Sequence, residues 1–163
     1  MKTIYLAGGC FWGVEAYFKL FDGIINTTVG YANGTSSNPH YEDLKMGLAD
    51  HAETVKIEYD ENQISLNKIL KLYFDIIDPF SLNKQAHDKG LQYRTGIFYI
   101  DDKDLETILN YVNSLNRHEE FKVLIERLNN FYDAEDYHQD YLDKNPQGYC
   151  HIDINKIRST LNK

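Results

Sequence analysis

Residues 66–77 place apolar side chains at Leu66, Ile69, Leu70, Tyr73, Phe74 and Ile77, the spacing of a helix with a single apolar stripe. Ser65 is available as the N-cap, and Asp78-Pro79 ends the run because the residue before a proline is pushed out of the helical region. A stripe of this width must lie against another apolar surface. The neighbouring segments supply it. Val55, Ile57 and Tyr59 alternate with Lys56 and Glu58, the period of a half-buried strand, and Gly96-Ile97-Phe98-Tyr99-Ile100 reads as a central strand. A long amphipathic helix between two such strands points to helices layered on a sheet.

The rest of the chain fits that frame. Residues 3–8 read as a short buried strand ending in Gly8-Gly9. Phe11, Val14, Phe18 and Phe21 then recur at helical spacing until Gly23. Residues 24–31 are β-branched enough for a second strand, and Asn33-Gly34 marks a turn. Residues 35–53 read as a long loop with one helical turn, and 81–92 as a second polar loop. Leu105, Ile108, Leu109, Val112 and Leu115 give another helix, residues 120–127 fit either strand or helix, and the chain from 133 is acidic, aromatic and irregular. The order βα, ββα, βα, β predicts an α+β two-layer sandwich. Its sheet is mixed and mainly antiparallel, a ferredoxin-like core with helices packed on one side, followed by an irregular C-terminal tail. With no repeats, no low-complexity tract and only three prolines, one catalytic domain is expected over residues 1–163, its core at about 3–130 and its tail at 131–163.

Composition narrows function. At 163 residues and 42% apolar, the chain can bury one core, which excludes intrinsic disorder. Seventeen basic against twenty-five acidic residues give a net charge of −8, so a general affinity for nucleic acid is excluded. No stretch reaches the length of a membrane span, and the apolar run after Met1-Lys2 is too short for a signal peptide, so the expected address is cytoplasmic. The two cysteines, Cys10 and Cys150, are no disulfide scaffold, and in a reducing compartment they matter as reactive thiols if they matter at all. Metal-binding spacings such as Cys-x-x-Cys and His-Glu-x-x-His are missing, as are phosphate-loop and dinucleotide fingerprints.

Strand, two glycines, cysteine and helix in succession put Cys10 at a helix N-terminus, in Gly8-Gly9-Cys10-Phe11-Trp12-Gly13. Unpaired N–H groups there favour a thiolate, so a lowered thiol pKa is expected. A free cysteine is more often core than chemistry, but paired glycines at a strand-to-helix turn shift the balance toward a nucleophile. Phe11 and Trp12 read either as core or as an aromatic wall beside the thiol, suited to a small apolar group on a substrate.

Gly9-Cys10-Phe11-Trp12-Gly13 resembles the signature of the type A peptide methionine sulfoxide reductases. Further blocks resemble that family in the same order: Gly30-Tyr31-Ala32, Asn38-Pro39-His40-Tyr41, His51-Ala52-Glu53, Gln92-Tyr93-Arg94, Ala134 to Gln139, and Asn145 to Cys150. The resemblance covers roughly residues 4–151. The resemblance implies thiol-dependent reduction of methionine S-sulfoxide, free or protein-bound, in repair after oxidative damage. The chemistry needs a thiolate, a carboxylic acid still protonated near neutral pH, neutral donors for the departing oxygen and an apolar seat for the S-methyl group. Cys10 is the implied nucleophile and Glu53 the acid, its pKa raised at the junction of the long loop and the Val55 strand. Tyr41 and Tyr93 match the family's oxygen-binding phenols, Asp88 positions water or orders its loop, and Phe11 and Trp12 hold the methyl group. Cys150 resolves the Cys10 sulfenic acid into a disulfide that thioredoxin, or dithiothreitol in vitro, reopens. No metal or organic cofactor is implied, and the chain is expected to act as a monomer.

Each of these residues also has an ordinary reading: a solvated carboxylate for Glu53, packing for any of thirteen tyrosines, a loop cap for Asp88, an inert thiol for Cys150. Two other functions use the same residues, a thiol peroxidase or peroxide sensor and an acidic protein-binding module. The first has no use for an aromatic methyl pocket or a separate carboxylic acid. In the second, Cys10 could be replaced without loss. The chain departs from the family pattern at Asn33, Ile77, Lys84, Ala86 and His87, which bears on the 77–90 loop and on substrate preference.

Overall fold

A computed structural model describes residues 1–161. The amphipathic segment forms helix α3 (Leu66–Ile76), with Ser65 Oγ accepting the Lys68 N–H at 3.1 Å as its cap. Its stripe buries Leu66, Ile69, Leu70 and Tyr73, and Ile77 is already extended, turned out ahead of Pro79. Strand β1 (Lys2–Gly8) leads into α1 (Phe11–Phe18) and β2 (Ile24–Ala32). The long loop contains the short helix α2 (Tyr41–Lys45) before β3 (Ala52–Tyr59). After α3 come a small hairpin, β4 (Lys84–Gln85) and β5 (Asp88–Lys89), then β6 (Thr95–Tyr99) and α4 (Asp102–Asn113), which Asp101 caps through the Lys103 N–H.

The ambiguous segment near 120–127 resolves as strand β7 (Leu124–Arg127), and the region expected as irregular tail contributes β8 (Phe131–Asp133) and helices α5 (Tyr141–Lys144) and α6 (Ile154–Leu161). Six strands form one sheet in the order β7-β6-β1-β3-β2-β8. Every neighbouring pair is antiparallel except β6–β7, which is parallel. The expectation of a mixed, mainly antiparallel sheet under helices holds.

Alternation decides which side chains go where. Ile4 and Leu6 of β1, Val55 and Ile57 of β3 and Ile97 of β6 join Val14 and Phe18 of α1, Ile69 and Leu70 of α3 and Ile108 of α4 in one core. Their neighbours in the strands, Tyr5, Ala7 and Phe98, face the other way, where Leu128 and Phe131 cover them. The helices therefore lie on one face. Tyr73 ties the layers together: its buried hydroxyl donates to Ala7 O at 2.6 Å and accepts the Gly96 N–H at 3.1 Å, so α3 is held to two strand ends at once.

Antiparallel pairing brings the C-terminal ends of β1 and β2 beside the N-terminal ends of β3 and β6; Leu6 lies opposite Val55, Tyr31 opposite Glu53 and Gly8 opposite Thr95. All the residues of interest gather at this end of the sheet.

Candidate active site

Cys10 follows directly from the end of β1. Gly9 adopts φ +90°, and a Cβ there would lie 2.8 Å from Gln85 Cβ, so only glycine makes this turn in this space. The turn leaves Cys10 as the N-cap of α1, with only 5% of its surface exposed.

The expected lowering of the thiol pKa is not what this environment produces. Burial raises it, the Glu53 carboxylate adds to the rise, and the Trp12 N–H opposes both. The helix-end N–H is there, as the turn required, but withdrawal from water outweighs it. Cys10 rests as a thiol.

Glu53 is the second residue of β3 rather than a loop residue, and it is 1% exposed. Its Oε1 accepts the Phe11 N–H at 3.3 Å, and its Oε2 accepts Gln92 Nε2–H at 2.7 Å. Burial pushes its pKa up to about 8, against the lowering effect of those two donors. Each oxygen keeps a second hydrogen-bonding site, so a proton can reside on the carboxyl without breaking either contact. Glu53 is therefore chiefly a neutral acid at pH 7. In that form it adds no negative charge beside Cys10.

Tyr41 opens α2, and Tyr93 closes the 3₁₀ turn at Leu91–Tyr93. Burial raises both phenols, and in both cases Glu53, Cys10 and Asp88 lie close enough to add to the rise. Both hydroxyls stay protonated and can donate. Asp88 sits in β5, where it accepts the Tyr149 hydroxyl at 2.8 Å, an arrangement that ties the C-terminal segment to the hairpin. Of its two expected roles, ordering its loop is the one with a visible contact.

Phe11, 1% exposed, stacks on Tyr41 and leans on Tyr31 and His138. Trp12 is only partly buried; its ring lies on Tyr141 at a centroid separation of 3.8 Å, and its Nε1–H donates to His138 Nδ1 at 2.9 Å. Phe11 is thus enclosed by the aromatic cluster, whereas part of the Trp12 ring stays exposed. Cys150 is half-buried against α1: a Cβ built on Gly13, one turn after Cys10, would lie 2.9 Å from Cys150 Sγ. Both thiols are free.

Several residues absent from the sequence-derived set help build this site. Gln92 holds Glu53. Glu135 accepts the Tyr31 hydroxyl at 2.7 Å and the Tyr41 N–H at 3.0 Å, and the fully buried His138 supports the aromatic cluster. Gln92 was adjacent to a chosen tyrosine, and Glu135 and His138 fell inside a block already singled out, but nothing in one sequence says which residue of a block faces inward. Among the described residues no group of three or more His, Cys, Asp or Glu side chains is placed to hold a metal ion.

The model for the family described as peptide methionine sulfoxide reductase matches residues 2–163. A relative from Lachnoclostridium phytofermentans named peptide methionine sulfoxide reductase MsrA is 56% identical over 153 residues, covering 93% of this chain and 92% of its own. The reduced form of Mxr1 from Saccharomyces cerevisiae superposes with a TM-score of 0.86 at 40% identity, over 91% of this chain and 88% of that one. Mxr1 in complex with Trx2 matches with a TM-score of 0.61 at 30% identity, over 86% and 84% of the two chains.

Proposed function

The chain belongs to the peptide methionine sulfoxide reductase family, type A, and from that premise we propose how its own residues carry out thiol-dependent reduction of methionine sulfoxide. Cys10 attacks the sulfoxide sulfur while Glu53 protonates the oxygen and Tyr41 and Tyr93 donate hydrogen bonds to it. The S-methyl group seats against Trp12, above Phe11. Methionine leaves, the oxygen ends on Cys10 as a sulfenic acid, and the proton count is unchanged because the thiol proton returns to Glu53.

The single observation that supports this assignment is the junction of Cys10 with Glu53: the carboxyl accepts the N–H of the residue next to the thiol, in surroundings that keep it protonated near neutral pH. A sulfoxide oxygen cannot depart as oxide, so a neutral acid beside the sulfur is what the reaction needs. A thiol peroxidase has no use for that acid or for the aromatic seat.

Cys150 then displaces the oxygen from Cys10 and leaves a Cys10–Cys150 disulfide. Cys150 Sγ lies against Gly13, the residue one helical turn after Cys10, which supports this pairing. The complex of the similar Mxr1 with Trx2 supports thioredoxin as the reductant, with dithiothreitol as its substitute in vitro. No helix among the described residues is long and apolar enough to cross a membrane. We assign the chain to the cytoplasm as a monomer with no bound cofactor, Asp88 ordering the loop that carries Gln92 and Tyr93.

The test offers separated epimers of methionine sulfoxide with thioredoxin, its reductase and NADPH. Turnover is expected on the S-epimer alone. Equal rates on both, or no turnover on either, would overturn the assignment.

A further inference from the structure

The two ring nitrogens of His151, the residue after Cys150, have different surroundings. Nε2 lies 3.0 Å from Gly8 O, the last carbonyl of β1. A carbonyl oxygen only accepts, so the ring proton sits on Nε2 and Nδ1 carries the lone pair. Nδ1 is buried, with no hydrogen-bond partner among the described residues. A Cβ built on Gly13 would lie 2.9 Å from Cys150 Sγ and 3.3 Å from His151 Nδ1. The thiol and the free lone pair therefore border the same small space above α1, which stays open because residue 13 has no side chain.

The second half-reaction needs such a group. Attack on the sulfenic acid requires the Cys150 thiolate, yet burial raises this thiol and its sulfur hydrogen now points to Ile152 O at 3.0 Å. A carbonyl can orient a thiol but cannot take its proton. Burial also keeps the His151 ring neutral, which leaves its lone pair available.

We propose that His151 Nδ1 is the base that takes the proton of Cys150 as the disulfide closes. The proposal rests on the reading of Cys150 as the resolving thiol. Rotation of the S–H away from Ile152 O presents it to Nδ1. The thiolate then attacks the Cys10 sulfur, the Cys10 S–O bond breaks as the S–S bond forms, and the departing hydroxide takes the proton back from the imidazolium and leaves as water. The thiolate's electron pair becomes the S–S bond as the S–O pair leaves with the hydroxide, so the two sulfurs meet at the disulfide level and no outside oxidant or reductant is consumed.

His151→Gln separates base from strut, because the glutamine amide can still donate to Gly8 O but offers no basic nitrogen at Nδ1. After one equivalent of sulfoxide, methionine release and loss of the Cys150 thiol are followed in the same rapidly quenched samples. Disulfide closure in the variant is expected to slow by about a hundredfold relative to methionine release, with a dimedone-trappable sulfenic acid accumulating. In a Cys10→Ser background, where Cys150 is the sole thiol, His151→Gln is expected to slow iodoacetamide alkylation at pH 7 by about tenfold. Wild-type closure or alkylation rates in His151→Gln would overturn the proposal. So would an Nδ1–H tautomer in the nitrogen spectrum of the unmodified protein, a measurement that depends on no variant. Failure of Cys150→Ser to accumulate the sulfenic acid would instead remove the resolving role itself, so the two failures are distinguishable.

Discussion

The backbone N–H of Phe11 donates to Glu53 Oε1 at 3.3 Å, across 42 positions of sequence. This bond joins the first turn of α1 to the start of β3 and sets the acid beside the residue at the helix N-terminus that carries the thiol. Gln92 holds the other carboxyl oxygen from a third segment. The acid is thus oriented by two donors while burial keeps its proton in place, which accounts for a carboxyl that is both fixed and neutral.

Glu53→Gln keeps the shape and can still accept one of the two donors through its amide oxygen, while its NH2 needs the Gln92 amide to turn and present its oxygen; the substitution removes the transferable proton. Its single-turnover rate of methionine formation at saturating sulfoxide is expected to fall by about 10²–10⁴, with a much smaller change in KM. Quenched-flow measurement of methionine released in the absence of reductant checks this; a rate equal to wild type contradicts it.

The raised pKa of Glu53 fixes the direction of a pH effect. Below about pH 8 the carboxyl carries the proton that the sulfoxide oxygen needs, and as pH rises through about 8 that proton is lost. The single-turnover rate should therefore show a falling limb near pH 8, and Glu53→Gln should lack that limb. A profile with the same limb in both proteins assigns it to another group.

How much of this could be read from the chain alone depended on range. The α3 stripe, its Ser65 cap and the stop before Pro79 are local, so periodicity and capping located them almost to the residue. The Gly8-Gly9-Cys10 turn was legible for the same reason, since only glycine tolerates the φ of residue 9. The thiol's own titration was misjudged, because a helix N-terminus is visible in sequence whereas the burial that outweighs it is made by residues from β3, the hairpin and the C-terminal segment. β7 and β8 were unclear or missed because short edge strands owe their pairing to the neighbour they meet. His138 and Glu135 depend on contacts more than a hundred and about ninety positions away, to Trp12 and Tyr41 respectively. The resemblance named blocks, but only the fold shows which member of each block points inward.

Glu15 offers a stability test separate from catalysis. It is buried in α1, accepts the Thr27 hydroxyl at 2.9 Å and the Asp140 N–H at 2.8 Å, and burial pushes its pKa up to about 7 from 4.5. Folding favours its protonated form, so the contribution is complete below about pH 4.5 and is lost as pH rises to about 7. The loss is on the order of 3 kcal/mol. Urea unfolding of Glu15→Gln at pH 4.5 and pH 8 should show a smaller decline in stability than wild type by roughly that amount. Equal declines in the two proteins contradict the reading.

Tyr149→Phe removes the 2.8 Å bond to Asp88 that holds the C-terminal segment to the β4–β5 hairpin. The pair is exposed, so the cost in global stability should stay below about 1 kcal/mol. Loosening this clasp is expected to raise the alkylation rate of Cys10 several-fold in a Cys150→Ser background. An unchanged rate means that Tyr149 does not help cover the thiol.

The most direct measurement exposes the reduced protein to one equivalent of methionine S-sulfoxide without reductant, then counts methionine released, free thiols remaining and the linkage formed. One methionine per chain, loss of both thiols and a Cys10–Cys150 peptide pair are expected; in Cys150→Ser the same methionine should appear with a trappable sulfenic acid on Cys10. Methionine released with both thiols intact, or any release from Cys10→Ser, would contradict the account.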